Sequence, residues 1–303
     1  MKNINDFGIS NMSDQEKVVQ ILDVVLHEVP LKSVVRLGGL TNRSYQVETS
    51  QGHYVISLPG DGTETMINRH DEYKSNLLAC ELGIDSHLYY FDGDNGVKVM
   101  DFIEDSITLN AEMMHHTNII ALVAKVFQKL HHSDVDTGVE FEVMKIAKQY
   151  ENIIRNNNVS LYSDYASVRN TIMQLSQNYL KNINKVPCHN DPLCENWVLQ
   201  GTDKLYLIDW EYAGMNDPMW DLADVSIEAE YGTVEDQLLL QFYFNRKTTN
   251  LEEKAFNINK LLIDFLWTLW GKTRVPFDGQ KMEDYASARY MRLKKLLGKM
   301  GLM

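Results

Sequence analysis

The stretch that most constrains this chain is Cys188-His189-Asn190-Asp191-Pro192-Leu193-Cys194-Glu195-Asn196-Trp197-Val198-Leu199, followed by Leu205-Tyr206-Leu207-Ile208-Asp209-Trp210-Glu211-Tyr212. Its skeleton is H-x-D-x-x-x-x-N, then an apolar strand that ends in a single Asp. Asp191 sits just after the apolar Val186-Pro187, and Pro192 fixes the backbone behind it. The Gly201-Thr202-Asp203 turn predicts a hairpin from Trp197-Leu199 into Leu205-Ile208. Such a hairpin brings Asn196 and Asp209 to one end, where a metal can bridge them. The chemistry that suits this set is phosphoryl transfer from a nucleotide. One carboxylate accepts the proton of an attacking hydroxyl, while the amide oxygen and the second carboxylate hold Mg²⁺ against phosphates.

With 303 residues, 44% hydrophobic and 23% charged, the chain is long enough for a large core and two lobes. A net charge of −13 argues against nucleic acid, which is bound through Lys and Arg, and suits a cationic substrate. The cysteines are Cys80, Cys188 and Cys194. An odd count without repeated spacing points to reduced thiols and a cytoplasmic location. Cys188 and Cys194 flank Asp191, but no Cys/His pair stands at zinc spacing, so they read as packing residues. Met1 to Ser10 is polar and lacks a secretory core. The most apolar run, Leu261 to Trp270, is interrupted by Asp264 and too short to span a bilayer, so no membrane partner is expected. The sequence carries no signal of oligomeric state.

In order, Ser13 and Glu16 form a capping box for a helix with Val18, Val19, Leu22, Val25, Leu26 and Val29 on its apolar side, and Pro30 is the expected stop. Strands are predicted at Ser33–Leu37, Arg43–Thr49 and His53–Leu58. Between the first two, Gly38-Gly39-Leu40-Thr41-Asn42 is a turn whose glycines let backbone N–H groups approach phosphates. A helix follows over His70–Glu81, then strands at Leu88–Phe91 and Val97–Met100. The acidic turn between them, Asp92 to Gly96, lacks the ligands of a calcium loop. Helices are predicted over Asn118–His131, Val143–Asn156, Tyr165–Leu180, Asp221–Tyr231, Leu238–Phe244, Leu251–Trp270 and Met282–Leu297. His131-His132 reads as capping and packing, since neighbours cannot share a helix face. Trp267 and Trp270, three apart, do share one. Indole and phenol faces with a carboxylate at longer range suit a quaternary ammonium, which has no N–H to donate.

His189 to Leu199 and Ile208-Asp209-Trp210-Glu211-Tyr212-Ala213-Gly214 resemble the choline kinase and aminoglycoside phosphotransferase superfamily, and within it bacterial choline kinases of the LicA type. The resemblance runs from about Val34 to the C-terminus. It implies an α+β, two-lobed protein kinase-like fold. The small N-lobe, residues 1–101, holds an antiparallel sheet, and the larger, mostly helical C-lobe is 102–303. It implies ATP and Mg²⁺, with choline as acceptor and phosphocholine and ADP as products. Asp191 is then the catalytic carboxylate, His189 holds its loop, Asn196 and Asp209 take the metal, and Asp221 braces the loop. Gly39, Thr41, Asn42, Ser57, Glu72 and the backbone of Asp101, Phe102 and Ile103 belong to the nucleotide site. Tyr212, Trp267, Trp270 and Tyr285 form the acceptor cage, with Glu228 as counter-charge. Ser57 departs from the pattern, which has a basic residue there. Arg36, Arg43, Arg69 and Lys74 are the candidates to replace it, and Glu72 is either an ion-pair partner or a plain exposed carboxylate. Ethanolamine or another small molecule as acceptor, or a catalytically silent choline-binding protein, are the alternatives.

Overall fold

The structure, a computed structural model, describes residues 12–27, 30–38, 42–60, 63 and 66–303. In chain order it contains α1 (Asp14–Leu26), β1 (Leu31–Arg36), β2 (Asn42–Thr49), β3 (His53–Pro59), α2 (Arg69–Glu81), β4 (Leu88–Phe91), β5 (Lys98–Asp101), β6 (Ser106–Thr108), α3 (Ala111–Met114), α4 (Thr117–His131), α5 (Val143–Asn156) and α6 (Tyr165–Tyr179). There follow β7 (Val186–Cys188), β8 (Trp197–Gln200), β9 (Lys204–Leu207), β10 (Gly214–Asn216), α7 (Pro218–Glu228), α8 (Thr233–Phe244), α9 (Asn250–Asp278) and α10 (Gln280–Lys299). The chain forms two compact units. One takes the residues up to Asn110 with Glu195–Ala213, the other Ala111–Cys194 with Gly214–Met303. A small lobe of antiparallel sheets and a larger helical lobe make this a protein kinase-like fold. Among the described residues no helix is long and apolar enough to cross a membrane.

In the first unit five antiparallel strands run in the order β1-β2-β3-β5-β4. Side chains alternate between the faces of a strand, and this decides what the sheet presents. Ile56 pairs with Val99, and both join Val18, Ile21 and Leu22 of α1 in one apolar core with Tyr45, Val47, Tyr54 and Leu58. The adjacent rung, Ser57 with Lys98, therefore faces the other way, where Lys98 meets Glu72 of α2. α1 opens with the expected capping box at Ser13 and Glu16. It stops at Leu26, before Pro30, because His27 takes a left-handed conformation (φ 55°) that ends the helix. A second sheet, β6-β8-β9, completes this unit. Its hairpin turn passes through Gly201 at φ 62°, where a side chain would be strained.

In the second unit β7 pairs with β10 and the remainder is helical. α7 starts earlier than the sequence pattern predicts, at Pro218. Asp217 caps it by accepting from the Met219 N–H at 3.0 Å, and proline suits a first helical position. It ends at Glu228, and Glu230 then adopts φ 54°. α9 continues past Trp270 to Asp278, because α10 runs back along it and buries Gly271, Lys272 and Thr273. A Cβ on Gly271 would lie 2.8 Å from the Tyr285 ring, so glycine is what lets the two helices close there.

Candidate active site

In the first unit the hairpin brings the two candidate metal ligands together. Trp197 pairs with Leu207, and the Ile208 N–H donates to the Asn196 carbonyl at 2.9 Å, extending the ladder to Asn196. Asp209 follows at φ 69°, a conformation that costs a non-glycine residue on the order of 1 kcal/mol and that aspartate adopts more readily than most. An amide oxygen and a carboxylate form an oxygen donor set that fits Mg²⁺. Asn42 gives its side-chain nitrogen to Asp209 Oδ1 at 3.2 Å and to Glu211 Oε2 at 2.8 Å. Gly39 and Thr41 lie outside the described residues.

The same unit holds a buried charge cluster. Glu72 is not an exposed helix carboxylate: it is 1% exposed, with Arg69 Nη1 at 2.6 Å and Lys98 Nζ at 3.1 Å. Lys98 also stands 3.8 Å from Asp209 Oδ1. Burial pulls the Lys98 ammonium down, but Glu72, Asp209 and Asp85 outweigh it and hold it above the ordinary lysine range. Burial pushes the Asp85 carboxyl up to about 7, against the pull of Lys98. Of the four candidates to replace a basic residue at Ser57, three are engaged elsewhere. Arg36 donates to the Tyr45 hydroxyl, Arg43 pairs with Asp14 at 2.8 Å and Lys74 lies on the surface beside Asp71. Arg69 alone is in the cluster. Ser57 itself is buried, its hydroxyl 2.8 Å from that of Ser44.

Asp101, Phe102 and Ile103 line a groove of about 480 Å³ with Ser86, His87 and Tyr206. Their backbone groups are partly used. The N–H groups of Asp101 and Phe102 donate to His87 and His53, and the Ile103 carbonyl accepts from Ser106.

In the second unit the loop after β7 is clamped at its backbone. Asp221 accepts from the N–H groups of His189 and Asn190, each at 2.8 Å, and from His131 Nε2 at 3.1 Å. Asn190 turns the chain at φ 67°. The indole N–H of Trp220 and the side chain of Asn216 bond its two oxygens. The next residue, Asp191, donates its N–H to His189 Nδ1 at 3.3 Å. The clamp therefore fixes where the Asp191 side chain starts. His131 goes beyond packing: its ring bridges Asp221 and the Tyr243 hydroxyl, stacked on Phe127. Cys188 lies close to His131 and Asp221, but burial pushes its thiol up and its sulfur donates to the Asp217 carbonyl, which leaves this trio as a structural network.

The aromatic residues of α9 and α10 meet edge to face. Trp267 and Trp270 have ring centroids 6.3 Å apart at 90°, and Trp270 and Tyr285 5.7 Å apart at 73°. Arg289 covers one face of Tyr285 at 4.8 Å. Arg289 also forms the ion pair that neutralises Glu228 and contacts Asp264 at 3.5 Å. The counter-charge expected of Glu228 is thus already matched. The acid left over is Asp224, one turn earlier on α7. It is fully buried, and both its oxygens lack a hydrogen-bond partner among the described residues. Burial, then Glu228 and Asp191, push its carboxyl well above the ordinary range. Asp191, Asp224 and Glu228 also act on the Tyr285 hydroxyl, so these groups share one neighbourhood. Tyr212 belongs to the first unit, half-buried in the turn after β9.

Residues 34–257 match the profile of the choline/ethanolamine kinase family. The chain belongs to this family. Protein LicA of Haemophilus influenzae is 30% identical over 278 residues, covering 89% of this chain and 80% of LicA. The crystal structure of choline kinase LicA from Streptococcus pneumoniae superposes with a TM-score of 0.82 at 33% identity, over 95% of this chain and 100% of that one. A structure of LicA in complex with AMP gives a TM-score of 0.80 at 33% identity, over 95% and 99%. Two residues of this family member escaped the motif pattern. Lys98 had one signal, a charge inside the apolar run Val97-Lys98-Val99-Met100. Asp224 had only its spacing, three after Asp221 and four before Glu228, which any helix surface shows.

Proposed function

We propose that this choline/ethanolamine kinase-type phosphotransferase is a choline kinase, moving the γ-phosphoryl of ATP to the choline hydroxyl and giving phosphocholine and ADP. The observation that supports this most is the neighbourhood of Asp191, Asp224 and Tyr285 beside the paired indoles. It offers π-faces and a spare carboxyl to a cation next to the carboxylate that handles the hydroxyl. A quaternary ammonium is held by such faces and by charge at a distance. Asp191 orients the hydroxyl and takes its proton late in a loose transition state. His189 and Asp221 keep the Asp191 backbone in place. Asn196 and Asp209 would hold Mg²⁺, which offsets the charge of the phosphates when bound. The base lies along Phe102 and Ile103, and a nucleotide in LicA is consistent with that use.

One observation favours ethanolamine. The two unpartnered oxygens of Asp224 suit N–H donors, which a primary ammonium has and choline lacks. The test is ADP release from Mg²⁺-ATP with choline, with ethanolamine and with neither, using Asp191→Ala as blank. Choline-dependent release that vanishes in the variant supports the proposal. Release with ethanolamine alone reverses the acceptor. No release with either, and no binding of Mg²⁺-ATP at millimolar concentration, sinks the kinase reading in favour of a silent binding protein.

A further inference from the structure

We propose that Lys98 is the residue that contacts the nucleotide phosphates, from β5, in place of a cation on β3. The inference rests on the reading above that this protein uses Mg²⁺-ATP. Burying a lysine in the interior of a sheet costs several kcal/mol unless its charge is matched. Here it is matched by two carboxylates of different kinds. One is Glu72, on the helix behind the sheet at 3.1 Å. The other is Asp209, the candidate metal ligand, at 3.8 Å. In protein kinases the lysine on the nucleotide phosphates is placed in this way, tied to a helix carboxylate and close to the metal-binding acid.

The ammonium also has donors to spare. It carries three N–H groups. Among the described residues it makes one hydrogen bond, to Glu72, because 3.8 Å to Asp209 is beyond hydrogen-bond range. Asp209 is the more open side, its side chain 31% exposed against 0% for Glu72. Arg69, the other cation of the cluster, is used up by the protein. It bonds Glu72, Thr63 and Asn42 and pairs with Glu211 at 3.5 Å. Ser57 and Lys98 are cross-strand partners, and such side chains leave the sheet about 5 Å apart on one face. The positive charge has in effect moved sideways by one strand.

That relation supplies the test. Lys98→Met is expected to weaken Mg²⁺-ATP binding about 10- to 100-fold, the range for a charged hydrogen bond. Adenosine, which has no phosphate, should bind within about twofold of wild type. Lys98→Ser should behave in the same way, and adding Ser57→Lys should restore at least about tenfold of the lost ATP affinity. A structural role for Lys98 would weaken ATP and adenosine together, and that result overturns the proposal, as does a folded double variant that restores nothing. Should the variants fail to melt cooperatively, the wild-type protein decides. With ¹⁵N-labelled lysine, the Lys98 ammonium resonance should shift with Mg²⁺-ATP and not with adenosine; no shift overturns the proposal. None of these measurements needs an acceptor. ATP discrimination through Lys98 without choline turnover would leave Lys98 standing and sink the choline reading, and choline turnover with Lys98 indifferent would do the reverse.

Discussion

The proposed nucleotide-side cluster, around Glu72, and the proposed acceptor-side cluster, around Tyr285, are built from similar kinds of side chain and balanced in opposite ways. Around Glu72, each acid meets a cation or an amide: Glu72 has Arg69 and Lys98, Asp209 has Lys98 and Asn42, Glu211 has Arg69 and Asn42. Around Tyr285, Arg289 pairs with Glu228 and Arg292 with Asp264, and Asp224 has no hydrogen-bond partner among the described residues. On the proposed function the difference follows the ligands. A site for polyphosphate brings in negative charge and must offer fixed cations and a metal position. A site for a cation brings in positive charge and must keep a carboxyl in reserve. Burial and the neighbouring acids, rather than an arginine, favour the neutral form of that carboxyl, which on the proposed reading leaves it available to a cation.

The sharpest way to separate the two clusters is Asp191→Ala. It should lower kcat by roughly 10³-fold, within the range for loss of a general base, while Mg²⁺-ATP affinity stays within about twofold. Steady-state kinetics with an equilibrium nucleotide titration checks both. A parallel loss of ATP affinity would mean that the clusters are not independent.

Asp85 tests the rule from inside the nucleotide-side lobe, because it is the acid there pushed towards neutrality. Its carboxyl titrates at about 7 in the fold against 3.8 as the ordinary value. Below pH 3.8 both folded and unfolded chains hold this proton, and the group costs nothing. As pH rises, the unfolded chain loses it first, so stability falls until pH passes about 7. At about 1.4 kcal/mol per unit the loss is on the order of 4 kcal/mol. Asp85→Asn should remove this slope. Urea midpoints of both proteins between pH 4 and pH 8 show the difference; parallel curves would place the charge of Asp85 elsewhere in the balance.

What the sequence revealed follows the same division. The hairpin carrying Asn196 and Asp209 was legible because local turn chemistry sets it. So was the stretch His189 to Asp191, although its brace to Asp221 spans distant positions. The two-lobed fold came through the resemblance of these motifs, since periodicity alone does not order strands. The pairing of Glu72 with Lys98 was not legible. It depends on which residue of β5 stands opposite Ser57, and register between distant strands is decided by packing on both faces. The neutralisation of Glu228 was hidden for a similar reason: Arg289 reaches it on α7 from α10, far along the chain. Asp224 looked like any polar helix position until its burial was known.

The aromatic side of the comparison is tested by Trp270→Leu, which keeps the volume apolar and removes the π-face. Cation–π contacts are worth up to about 2 kcal/mol when desolvated, so kcat/KM for choline should fall about 10- to 30-fold. Ethanolamine, able to hydrogen-bond a carboxylate, should lose about threefold or less. Equal losses for the two amines would reduce Trp270 to a packing residue and remove the argument for choline over ethanolamine.

The smallest effect, and the most specific, concerns Asp224. In the empty site burial and the nearby carboxylates Glu228, Asp191 and Asp221 favour its protonated form, against Arg289. A bound cation favours the ionised form, so binding releases a proton and acceptor affinity rises with pH until Asp224 is ionised in the empty site as well. Tyr285 stands in the same neighbourhood, but burial pushes its hydroxyl up, so it stays neutral throughout. The wild-type KM for choline should therefore fall as pH rises, with the KM for ATP as the internal control. Asp224→Asn has the same shape and no charge to release. It should bind choline as weakly as the wild type does with Asp224 protonated, and show no slope with pH. A slope that survives in the variant would assign the proton to another group and leave Asp224 as a cost of burial with no part in binding.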